Sequence, residues 1–178
     1  MKLQRLAALL CLLAPRAMAQ DRANPANPSP CLQAAATAEA EWALPPGMLA
    51  AIGRVESGRW NPRANRMEPW PWTVNVAGAG RYHPVLQDAL ADVTREQAAG
   101  VRSVDVGCFQ VNLMHHPTAF TDLNEAFDPL ANARYAARFL TSLRRSAGTW
   151  DLAVAQYHSA TPDIGEPYRQ RVSATWQG

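Results

Sequence analysis

Apolar residues recur along the chain at helical spacing, interrupted by one region of alternation. Ser29-Pro30 predicts a helix start, a side-chain cap and then proline in the first turn, with Cys31, Leu32 and Ala35 leading on to Trp42. Pro45-Pro46 precedes a second helix, in which Leu49, Ile52 and Val55 share a face. Gly58 is expected to stop it in a left-handed conformation, and Asn61-Pro62 to close the exit. Residues 65–71 read as a loop. Trp72 to Val76 alternates apolar and polar positions, the mark of a half-buried strand; Ala77-Gly78-Ala79-Gly80 forms a turn and Arg81-Tyr82-His83 the return strand. Pro84 to Ala99 reads as a helix with Leu86, Leu90 and Val93 on one face and Gly100 as its stop. Val101 to Val106 alternates again, Gly107 breaks the strand, and Cys108 to Leu113 is expected to begin another helix. Asp128-Pro129 starts a long helix that ends at Gly148. Thr149 caps the next, which carries Trp150, Val154 and Tyr157. Thr161-Pro162 reads as a loop, and Tyr168, Val172 and Trp176 align on a last helix. The sum is a mainly α domain with a small β-containing insert after the second helix.

The ends and the charge change this picture. Lys2 and Arg5 precede Leu6 to Leu13, an apolar run too short to span a bilayer, and Ala17-Met18-Ala19 has the form of a signal-peptidase site. Residues 1–19 are therefore expected to be a signal peptide, 20–30 a flexible leader, and 31–178 a single domain exported to the periplasm. Leu10 before Cys11 does not suit a lipoprotein site, so no membrane anchor is expected. The formal charge of +2 belongs to the signal: without Lys2, Arg5 and Arg16, 14 basic residues face 15 acidic ones, a net of −1. Such a chain has no large electrostatic reason to bind nucleic acid or an anionic membrane. Cys31 and Cys108 remain, an even pair in an oxidising compartment, and are expected to form a disulfide. A loop of that length is worth roughly 4–5 kcal/mol in the chain-entropy account. A two-cysteine metal site competes, but neither Cys has a close Cys or His partner. His115 and His116 are adjacent and would point apart on a helix, and His83 and His158 also read as structural or surface. No metal or cofactor is expected, and the chain is expected to act as a monomer.

Glu56 falls in the last turn of the second helix, on or beside the apolar stripe. A carboxylate there loses water and faces the negative end of the helix dipole. Both effects favour the neutral acid near pH 7, the form that can protonate a leaving oxygen. The alternative is a Glu that turns out to solvent at the edge of a core helix.

Three segments in order weigh against that alternative: Glu56-Ser57 leading to Asn61-Pro62-x-Ala64, then Asp105-Val106-Gly107-Cys108-Phe109-Gln110-Val111-Asn112, then Ala153-Val154-Ala155-Gln156-Tyr157-His158. Together they resemble the lytic transglycosylases of the SLT-domain (goose-lysozyme-like) family, over nearly all of residues 31–176. The resemblance implies a lysozyme-like α+β fold and, as substrate, the glycan strands of bacterial peptidoglycan. It implies cleavage of the β-1,4 bond from N-acetylmuramic acid to N-acetylglucosamine, leaving a 1,6-anhydro end, with Glu56 as the single catalytic acid and base. Asp105, two residues before Gly107, looks like the branch that serves secretion and pilus machines.

The resemblance further implies that Gln110 hydrogen-bonds a sugar, that Tyr157 reaches Glu56 or the substrate, and that Ser57 holds Glu56 or the backbone turn. It places Phe109 on the groove and His158, where the family has Asn, at a sugar contact. The plain alternatives are a surface amide for Gln110, core packing for Phe109 and Tyr157, and a helix-end serine for Ser57. Cys108 departs from the family's Leu, which the disulfide to Cys31 explains. Trp70, Trp72 and Tyr82 in the insert invite a glycan-gripping role or simple burial. An ordinary glycosidase needs a second carboxyl across the bond, for which Glu68 and Asp105 are the candidates, the latter also expected to cap a helix near Gly107. Three readings follow: a lytic transglycosylase, a hydrolytic muramidase on the same fold, or a non-catalytic cell-wall-binding assembly protein.

Overall fold

The computed structural model describes residues 29–177 apart from residue 63. The expected signal peptide and most of the expected leader lie outside the described residues. Among the described residues, seven helices and six short strands form two lobes.

The helical lobe contains α1 (Pro30–Trp42), α2 (Met48–Ser57), α5 (Pro129–Ala147), α6 (Trp150–His158) and α7 (Pro162–Gln177). Its buried core includes Leu49, Ile52, Phe109, Leu140 and Val172. Ser29 does not cap α1 through its side chain; its hydroxyl donates to Pro69 O at 3.0 Å. Asp128 and Thr149 do cap α5 and α6, accepting from Ala131 N and Leu152 N. The start of α2 is capped from a distance. The Glu39 carboxylate accepts from Gly47 N at 2.8 Å and Ala50 N at 3.0 Å, which pairs donors a helix start leaves open. A disulfide joins Cys31 to Cys108.

The second lobe holds a four-stranded sheet in the order β4 (Ala79–Tyr82), β3 (Thr73–Val76), β5 (Val104–Val106), β6 (Val111–Asn112), every pair antiparallel. Helices α3 (Leu86–Ala98) and α4 (Leu123–Phe127) pack with it around Val74, Val93, Val106 and Phe127. The β3–β4 turn places Ala77 at φ 52° and Gly78 at φ 84°, the left-handed pair that a two-residue hairpin requires. Among the described residues no helix is long and apolar enough to cross a membrane.

Several local expectations are corrected. Gly58 is extended, at φ −60° and ψ 126°, not left-handed. The chain runs on into β1 (Gly58–Asn61), which pairs with β2 (Arg66–Pro69), so part of the expected 65–71 loop is a hairpin arm. The expected helix from Cys108 does not form. Gly107 and Gln110 both have positive φ, and side chains take the backbone groups that a helix would use. Ser57 donates to Cys108 O, Tyr157 donates to Phe109 O, and Asn132 accepts from Phe109 N. Asp105 therefore caps no helix; it lies in β5 and accepts from Asn112 Nδ2 at 2.7 Å. Pro162 begins α7 instead of sitting in a loop, and α7 tolerates Pro167 within it. The short α4 had no apolar period long enough to announce it.

Candidate active site

Glu56 ends α2 where the two lobes meet. Its pKa is pushed up to about 7, chiefly because burial penalises the charged form. The residue keeps part of its surface open, while its carboxyl is enclosed enough for desolvation to dominate. The negative charge of Asp105 adds to the rise, and Arg171 opposes it slightly. Tyr168, fully buried on α7, brings its hydroxyl towards Glu56 and favours the ionised form. That approach falls short of full hydrogen-bond geometry, so the hydroxyl has no close partner.

Ser57 faces inward and is fully buried. Its hydroxyl donates to Cys108 O at 2.6 Å and lies 3.3 Å from both Gly53 O and Trp70 N. It clamps the end of α2 to the Gly107–Gln110 turn, and no face of it is left for a substrate. Phe109 is likewise enclosed in the helical core: a Cβ on Gly53 would stand 2.9 Å from its ring. It packs; it does not line the groove. Asn132 holds this turn from the other side. It is fully buried, accepts from Phe109 N, and donates to Val106 O and Ala126 O, which ties the lobes together.

Gln110 stands at φ 48°, a left-handed conformation that costs a non-glycine residue about 1 kcal/mol or more. Its Nε2 donates to Thr73 O and Gly107 O, while its buried Oε1 has no partner. Tyr157 donates to Phe109 O at 2.8 Å and does not bond Glu56. The two are near enough for the Glu56 charge to raise the phenol's pKa, after burial as the larger cause. His158 lies flat on the Tyr168 ring, 4.7 Å between centroids and 9° between planes, with its other side exposed. Burial, then Arg171, lowers its pKa.

The two candidate second acids separate clearly. Glu68 is buried in the β1–β2 hairpin, where Asn61 and Arg66 donate to it. Asp105 lies within electrostatic reach of Glu56, His115 and His158, and burial raises its own pKa. Of the insert aromatics, Trp70 and Trp72 pack edge to face, 5.4 Å apart, and Arg59 covers Trp70. Tyr82 is exposed, with its hydroxyl donating to Gly58 O. His83 bonds Asp92 at 2.9 Å, and His116 packs against Tyr135 and Phe139. Among the described residues no group of three or more metal-ligating side chains comes together.

Tyr168, Arg171 and Asn132 escaped sequence reasoning as site residues. Tyr168 was visible only as part of a core-facing stripe with Val172, and nothing local marked it as the neighbour of Glu56.

A family model described as the Transglycosylase SLT domain matches residues 33–175. No curated protein and no solved structure matches the chain. With a family match that spans almost the whole described fold, over an acid whose carboxyl is enclosed at the end of α2, the chain belongs to the transglycosylase SLT domain family.

Proposed function

We propose that this protein is a periplasmic lytic transglycosylase, cleaving peptidoglycan strands between N-acetylmuramic acid and N-acetylglucosamine. Glu56 donates its proton to the bridging oxygen as the C1–O bond breaks. The carboxylate so formed takes the proton of the same sugar's C6 hydroxyl, whose oxygen closes on C1. A 1,6-anhydro end forms, no water is consumed and Glu56 is restored. The observation that carries this reading is a carboxyl with a pKa of about 7, so that both forms are accessible in one cycle near neutral pH. The nucleophile is tethered, and tethered groups reach effective concentrations of roughly 10⁵ M or more. Gln110 and His158 are the groups we assign to the sugar. Ser57 and Tyr157 hold the loop that presents Gln110. The chain's export rests on the signal-peptide pattern of residues 1–19, and its service to a secretion or pilus assembly machine on the resemblance at Asp105.

A second reading has one observation in its favour. Asp105 sits near Glu56 and, as a base for water, would make the enzyme a hydrolytic muramidase. Mass spectrometry of the products separates the two, because an anhydro end is lighter than a hydrolysed one by one water. On purified sacculi the wild-type enzyme is expected to release anhydro ends. Glu56→Gln is expected to lower turnover by roughly 10²–10⁴-fold with the fold intact by circular dichroism. Activity that survives this change rejects the assignment, and a folded wild-type protein that binds sacculi without turnover favours the assembly-protein reading. The rate is also expected to fall as pH rises above about 7, when Glu56 loses the proton it must donate.

A further inference from the structure

The Cys31–Cys108 disulfide does not join two idle points of the core. Cys31 lies in the first turn of α1, and Cys108 lies inside the Gly107–Gln110 turn. Both are fully buried. Gln110, the residue we assign to the sugar, follows two positions after the bridged Cys108. The Cys108 carbonyl accepts from the hydroxyl of Ser57, the chain neighbour of Glu56. One residue thus carries a covalent tether to α1 and a hydrogen bond to the end of α2.

This turn needs holding. Gly107 and Gln110 take positive φ, 80° and 48°, and for a glutamine that conformation is unfavourable. The turn's own backbone hydrogen bond is long: Gln110 N reaches Gly107 O at 3.4 Å. Other restraints come from outside it. Ser57 on α2, Asn132 on α5 and Tyr157 on α6 each bond its backbone, and Thr73 O accepts from Gly107 N and from the Gln110 amide. All of these are hydrogen bonds, which can stretch or exchange with water. The disulfide cannot. A bridge that served only to restrict the unfolded chain could end at any buried point. This one ends inside the segment that presents Gln110 and bonds the neighbour of Glu56.

We propose that the Cys31–Cys108 bridge is a positioning element for the reaction at Glu56: it fixes the Gly107–Gln110 turn against the end of α2, and turnover depends on its oxidation. The inference rests on the reading of Glu56 as the glycan-cleaving acid. A disulfide oxidant takes two electrons and two protons from the two thiols and leaves as a dithiol, and the Sγ–Sγ bond forms. Neither cysteine exposes surface, so an outside thiolate does not reach the bond in the folded protein. The bridge is therefore set once, during folding, and full activity follows only where the chain folds under oxidising conditions.

The test refolds the wild-type chain from denaturant with a dithiol reductant or with oxidised glutathione. It reads kcat and KM on peptidoglycan glycan strands, below the thermal midpoints of both forms. The oxidised protein is expected to release anhydro ends. The dithiol protein is expected to be folded by circular dichroism, with kcat about tenfold lower and KM little changed. A second refolding with oxidised glutathione is expected to restore kcat. Cys31→Ala is expected to show the same low kcat after either refolding. Val93→Ala, outside the helical core that holds both cysteines, lowers the thermal midpoint as a control and is expected to keep the wild-type kcat. A dithiol protein or Cys31→Ala with the wild-type kcat overturns the positioning role and leaves the proposed activity standing. So does a loss that Val93→Ala reproduces, or a dithiol protein that does not fold, since the bridge would then serve stability alone. An oxidised wild type that cleaves nothing sinks the activity, and the positioning role with it.

Discussion

The two lobes treat an enclosed carboxylate in opposite ways. In the sheet lobe, Asp92 is 1% exposed, yet Arg81, Arg95 and His83 all direct nitrogen at it. Glu68, in the hairpin, has Asn61 and Arg66, and Glu39, in the helical lobe, has two backbone amides. Each of these acids holds structure together. Glu56 has the imperfect approach of Tyr168 and the slight pull of Arg171, with Asp105 pressing on it from across the lobe boundary. Burial with partners secures a charge; burial without them favours the proton. That difference, more than the identity of the residue, sets the catalytic acid apart from the structural ones.

The comparison can be sharpened by stability. Native Glu56 keeps its proton until about pH 7, whereas the unfolded chain releases it near 4.5. Between those values the unfolded state binds fewer protons, so stability falls as pH rises, by ~3 kcal/mol in total above pH 7. Glu56→Gln is expected to escape that fall: a urea midpoint higher than wild type at pH 8 and close to it at pH 4. Equal midpoints at both values would mean that the carboxyl is solvated.

Asp92→Asn should break the other side of the comparison. Losing the charge weakens three charge-assisted contacts, and we expect a cost of about 2 kcal/mol confined to the sheet lobe. Hydrogen exchange should speed up at β3, β4 and α3 and stay slow in α2 and α5. A uniform loss of protection would show that the lobes unfold as one.

The smallest effect is expected at Tyr168. Its hydroxyl favours ionised Glu56, so Tyr168→Phe should move the alkaline fall of the rate to higher pH. A shift to lower pH would show that the phenol stabilises the neutral acid instead.

Much of the fold was legible because it follows from local rules. The caps at Asp128 and Thr149, the alternation at β3 and the periodic faces of α1, α2 and α5 each need only nearby residues. The Gly107–Gln110 segment was not legible. Its apolar pattern suits a helix, but Ser57, Asn132 and Tyr157 reach it from up to 51 positions away and capture its backbone groups. Gly58 failed for a related reason: β2 offered its backbone a strand partner, which outweighed its freedom to turn left.

By itself the sequence determined which carboxylate stands at the end of an apolar helix, which two cysteines could pair, and which motifs follow one another. Those are matters of spacing and chain order. Only the tertiary structure decided that Glu56 forms no ion pair among the described residues, that Asp105 and not Glu68 approaches it, and that Tyr168 and not Tyr157 turns its hydroxyl to the acid. Desolvation and charge coupling depend on what the rest of the chain brings within a few ångströms, and no local pattern encodes that.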